Sequence, residues 1–142
     1  MSLGILEDAK KVTTYTPDKQ ENGFLIELYK DGDKTTAYLT CTKPGMFKGY
    51  HLHRVRAARY VCLKGKMKIT LWRPGKKTYE EYELDASKPQ RLFIPKDIAT
   101  GLLNTGEEDA WLINYPDPPY DPNLKDEQVE YTKEELEQGI VK

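Results

Sequence analysis

Hydrophobic residues recur along this chain in short runs of three to eight, separated by turn residues. Phe24–Tyr29, Thr35–Thr42, Gly49–His53, Arg59–Leu63, Met67–Trp72, Thr78–Leu84, Arg91–Ile94, Gly101–Leu103 and Ala110–Tyr115 are rich in β-branched and aromatic side chains. Asp31-Gly-Asp33, Lys43-Pro-Gly45, Lys64-Gly-Lys66 and Arg73-Pro-Gly-Lys76 punctuate them. Short strands at near-regular spacing predict a sandwich or a closed barrel. One helix is expected. Thr132-Lys-Glu-Glu135 has the form of a capping box, so a short helix runs to about Gln138, with Gly139 as its stop. Pro116 to Pro122 cannot hold regular structure; its prolines make a stiff loop around Tyr120.

Composition narrows the class. The length of 142 residues fits a single domain, expected to span 1–142. Lys and Arg total 22 against 23 Asp and Glu, so no general field attracts nucleic acid or an anionic membrane. The apolar start Met1-Ser-Leu-Gly-Ile-Leu is too short for a signal peptide, and no apolar run approaches a membrane span. Cys41 and Cys62 lie in apolar strand surroundings and are expected to be reduced thiols in a cytoplasmic protein.

The chemistry concentrates in Gly45-Met-Phe-Lys-Gly-Tyr-His51-Leu-His53, which holds both histidines of the chain. On a strand, positions two apart point to one face, so both imidazoles can enter one cavity. Such a pair is half of a metal site, or a general base with a neighbour. The spacing resembles the first motif of the cupin superfamily: Gly45, His51, His53 and Gly65 fall in register, with Ala58 at the glutamate position. The second cupin motif is matched by Pro95-Lys-Asp97-Ile-Ala-Thr100-Gly-Leu-Leu-Asn104, with Thr100 at the histidine position. The resemblance implies an all-β cupin, a double-stranded β-helix or jelly-roll barrel, with the short C-terminal helix appended. With two of four usual ligands replaced, neither a bound metal nor another cofactor is expected.

Within the cupins the chain resembles the RmlC-like dTDP-4-dehydrorhamnose 3,5-epimerase family, from Asn22 to Tyr131. Asn22-Gly-Phe-Leu-Ile-Glu27, Lys48-Gly-Tyr-His-Leu-His53, Ile94–Leu102 and Pro119-Tyr-Asp-Pro122 carry the likeness. It implies His51 as catalytic base and Tyr120 as general acid. Glu27, Lys48, His53, Arg59 and Thr100 become candidate contacts to a nucleotide-sugar substrate, and a homodimer is the expected assembly. Protons beside the ketone of a 4-keto sugar are acidic, and an imidazole is suited to remove them. His53 fits a second group better, the nucleotide-sugar 3,4-ketoisomerases, which carry Gly-x-His-x-His. A cupin that binds a sugar nucleotide without turning it over, and a metal-dependent cupin using His51 and His53, are the other readings.

Overall fold

The computed structural model describes Asp8 and residues 10–31, 35–118 and 121–142. The Asp31–Asp33 turn falls partly outside this range, and Tyr120 wholly. Among the described residues eleven strands and one helix follow in chain order. They are β1 (Lys11–Tyr15), β2 (Glu21–Asp31), β3 (Thr35–Thr42), β4 (Phe47–His53), β5 (Ala58–Lys64) and β6 (Lys66–Trp72). Next come β7 (Tyr79–Asp85), β8 (Arg91–Ile94), β9 (Ala99–Asn104), β10 (Ala110–Asn114), β11 (Gln128–Glu130) and α1 (Lys133–Glu137). The nine expected strands are present. β1 and β11 are additional, each at the edge of a sheet.

Two antiparallel sheets form the barrel. One has the order β1-β2-β3-β10-β5-β8 and the other β11-β4-β9-β6-β7. Side chains between them make the core: Met67, Ile69, Ala110 and Leu112 are fully shielded, with Cys62, Leu84, Ile94 and Leu102 around them. Both cysteines are buried free thiols. A second cluster lies on the far side of the β4-containing sheet, where Tyr50, Leu52, Trp72 and Ala99 meet Tyr131 and Leu136. Leu136 is the buried residue of α1, so the helix clamps the outside of the sheet. The capping box is complete: Glu135 N–H donates to the Thr132 hydroxyl, and the Thr132 N–H donates to Glu135 Oε1. No helix among the described residues is long and apolar enough to cross a membrane.

Strand β4 departs from simple alternation. Its ladder with β9 shifts register between Lys48 and His51. Gly49 occupies the shift at φ +115°, and a Cβ there would lie 2.5 Å from the Thr100 carbonyl oxygen. Only glycine fits such an approach at such a φ. The extra residue reverses the parity that sequence spacing would give. Phe47, Tyr50 and Leu52 face outward into the α1 cluster, whereas Lys48, His51 and His53 face the barrel interior.

Candidate functional site

His51 and His53 open into a cavity of about 50 Å³ between the two sheets. Arg56 lines it from the β4–β5 connection. Ala58 and Tyr60 line it from β5, and Thr100 and Leu102 from β9. Ile94, Pro95 and Ile98 close one side. Thr100 is the direct cross-strand partner of His51. The Ile94–Ile98 connection is held by Asp97, which stands at the glycine position of the second motif. It adopts φ 66°, a left-handed turn, and its N–H donates to the His53 carbonyl at 2.8 Å. Aspartate is one of the few non-glycine residues that tolerate this conformation.

The electrostatics of the two imidazoles differ. Burial pushes the His51 pKa below the ordinary histidine value; Glu130 works against that and Lys48 adds to it. Glu130 Oε1 lies 3.8 Å from His51 Nδ1, and Gln128 Nε2 is 3.4 Å from the same nitrogen. Both come from β11, which pairs with β4 across the histidines. His53 is also held below its ordinary value, by burial first and then by Arg56. A neutral imidazole is the form that removes a proton.

A carboxylate buttress stands behind His53. Glu127, 7% exposed, accepts from Arg56 Nε at 2.9 Å and from the backbone N–H groups of Val55 and Arg56 at 3.2 Å. Burial opposes its ionisation, but these donors outweigh burial and hold its pKa at about 2. Arg56 Nη2 is 2.9 Å from His53 Nδ1, and Glu127 Oε1 is 3.2 Å from the same atom. A guanidinium can only donate. With Nδ1 accepting the shorter Arg56 contact, the ring proton of His53 sits on Nε2. Glu127, 74 positions after His53, was not among the residues singled out in the sequence.

The other expected contacts spread out. Lys48 faces inward, but its ammonium donates to Thr40 Oγ1 at 2.9 Å and to the Phe24 carbonyl at 3.4 Å. Burial lowers its pKa to about 8. Glu27 belongs to a transverse row, Glu27–Tyr38–Asn114–Tyr60, of directly paired residues on the cavity side of the first sheet. It stands three strands from Tyr60 and does not line the cavity. Arg59 is on the opposite face of β5 from Tyr60. Its guanidinium lies 5.1 Å from the Phe93 ring centroid and 3.7 Å from Asp117 Oδ2, outside the cavity. Tyr60 was not among the expected residues, although alternation from Ala58 places it on the inner face.

The site offers a metal two imidazoles, with Ala58 and Thr100 where the cupin motifs carry the other ligands. Among the described residues there is no cluster of three or more His, Cys, Asp or Glu side chains able to hold a metal ion. The residues present do not complete the cupin ligand set.

Barrel, motif register and paired inward histidines are those of an RmlC-like cupin. The chain belongs to the family described as the polysaccharide biosynthesis C-terminal domain, whose profile matches residues 18–128. It is 28% identical over 120 residues to the probable low-salt glycan biosynthesis epimerase Agl13 of Haloferax volcanii, covering 76% of this chain and 77% of that protein. Among solved structures, the capsular polysaccharide assembling protein CapF of Staphylococcus aureus superposes with a TM-score of 0.72 at 22% identity. The match covers 84% of this chain but only 34% of CapF, so the chain spans about a third of that protein's length. TT1209 from Thermus thermophilus has the same fold at a TM-score of 0.57 and 20% identity, covering 74% of this chain and 89% of that one. The class is therefore an epimerase-like cupin of glycan and polysaccharide biosynthesis.

Proposed function

We propose that the protein is an epimerase of a nucleotide-linked 4-keto-6-deoxy sugar, a dTDP-linked sugar being the expected form. The observation that carries this reading is the cavity itself: inside an epimerase-like cupin barrel, His51 is inward, half-buried and held neutral. Neutral His51 takes the proton from the carbon beside the ketone. The C–H electron pair becomes the C=C bond, and the carbonyl π pair moves to oxygen. Reprotonation on the opposite face inverts the centre. Tyr120, outside the described residues, keeps the role of acid that family resemblance gives it.

The cavity has room for the reacting carbonyl, not a whole nucleotide sugar. A groove of about 550 Å³ adjoins it, sharing the walls Pro95 and Ile98. Arg73, Lys76 and the rings of Tyr79 and Tyr82 line this groove, a set suited to phosphate and base. A cytoplasmic enzyme fits the two free buried thiols. A homodimer fits the half-exposed outer face of the β1-containing sheet, where Phe24, Trp111 and Phe93 are overlaid by Lys11, Lys64 and Arg59.

Incubation with dTDP-4-keto-6-deoxyglucose in D2O, followed by NMR, tests the proposal. Deuterium is expected at C3 or C5 with the native protein and not with His51→Asn. A second reading has one observation in its favour: His53, a residue of the 3,4-ketoisomerase motif, is locked in the same cavity. A 3-keto product in the same tube would replace the epimerase reading with that one.

A further inference from the structure

We propose that the hydroxyl of Tyr60 is the donor that stabilises the ketone oxygen as it becomes an enolate. The inference rests on the epimerase reading and adds a catalytic residue to it. The cavity is lined by few polar side chains: His51, His53, Arg56, Tyr60 and Thr100. His51 is the base. Arg56 is committed to Glu127 and to His53 Nδ1. The Thr100 hydroxyl donates to the Ile98 carbonyl at 3.4 Å. Lys48, the other inward cation of β4, is bonded to Thr40 and Phe24. No hydrogen bond engages the Tyr60 hydroxyl among the described residues.

Its placement suits the task. His51 rises from β4 of one sheet, and Tyr60 from β5 of the facing sheet, so base and donor address a bound carbonyl from opposite walls. Ala58, two positions earlier on the same face of β5, leaves that wall without a larger side chain beside the ring. At Tyr60 burial is the larger influence, and the positive charge of Arg56 works against it. Burial pushes the phenol up to about 12, so it remains a donor throughout the working range. The step needs no proton from Tyr60. The hydrogen bond shortens as charge gathers on oxygen, and the abstracted proton stays on His51. A protein donor aimed at developing oxyanion charge is worth about 10²–10³ in rate.

The test uses the native chain and dTDP-4-keto-6-deoxyglucose in D2O. Tyr60→Phe removes one oxygen and keeps the ring. Deuterium uptake is expected to fall by about 10²-fold or more, while substrate affinity measured by calorimetry stays at the native value. A series with fluorinated tyrosines at position 60, whose hydroxyls are progressively more acidic, is expected to change the uptake rate in step with acidity. This series also serves if Tyr60→Phe folds poorly. Native-like uptake by Tyr60→Phe, or a rate indifferent to fluorination, would overturn the assignment, as would affinity falling as far as rate. No uptake by the native protein is a different result: it would sink the epimerase reading, and this role with it.

Discussion

At the scale of single residues, the site is built on one ionic contact that a reader of the sequence cannot see. Glu127 holds Arg56, Arg56 holds His53, and the chain between them is 71 to 74 positions long. The depressed pKa of Glu127 links this contact to stability. Its folded value is about 2 against an ordinary 4.5. The contribution is therefore full above pH 4.5 and is lost as pH falls from there toward 2. At roughly 1.4 kcal/mol per pKa unit it amounts to about 3 kcal/mol. Guanidinium unfolding of native protein and Glu127→Gln, measured from pH 7 to pH 2, should show curves that converge at the acid end. Parallel curves would mean that Glu127 ionisation is not what the site uses. The pair His51 and His53 was legible because period-two alternation survives between them. Glu127 was not, because an ion pair across the fold leaves no local pattern. Tyr60 was legible in principle, since alternation from Ala58 gives its face. What the sequence lacks is the competition among donors that singles it out.

At the scale of elements, β4 decides how the site is assembled. Alternation alone puts Lys48 and His51, three apart, on opposite faces. The register shift at Gly49 puts them on the same face. Gly49→Ala should prevent that arrangement, because the added carbon meets the Thr100 carbonyl at 2.5 Å and the residue holds φ +115°. A loss of about 3 kcal/mol, read from thermal unfolding, is expected, together with loss of deuterium exchange. An unchanged melting temperature would contradict the geometry given for β4. Terminal elements show the other limit of sequence reading. α1 was legible because Thr132 and Glu135 form a local, spaced signature. β11 was not: Gln128-Val-Glu130 has one apolar residue, and it is a strand because the edge of β4 offers it hydrogen-bond partners.

At the scale of the whole molecule, the sheet formed by β11, β4, β9, β6 and β7 separates two functions. Its inner side carries His51, His53 and Thr100. Its outer side carries the cluster clamped by α1, centred on Trp72 and Leu136. Stability and chemistry should therefore be separable. Leu136→Ala empties a fully buried site on the outer side and is expected to cost about 3 kcal/mol in chemical denaturation. Below the unfolding transition the exchange rate should stay at the native value. A parallel fall in exchange at low temperature would show that the outer cluster shapes the cavity. Barrel class was readable from strand spacing and the two motif registers. Separation of outer clamp from inner site was not, because it depends on which face each β4 residue takes after the shift at Gly49.

The central claim is that neutral His51 removes a proton beside a ketone. Burial first, and Lys48 with it, hold the His51 pKa below 6.5 against the pull of Glu130. The most direct measurement is the pH profile of deuterium incorporation at C3 and C5 of dTDP-4-keto-6-deoxyglucose, followed by NMR. The account predicts that exchange falls on the acid side with a midpoint below 6.5 and vanishes in His51→Asn. An acid midpoint above 6.5, or exchange that survives His51→Asn, would contradict it.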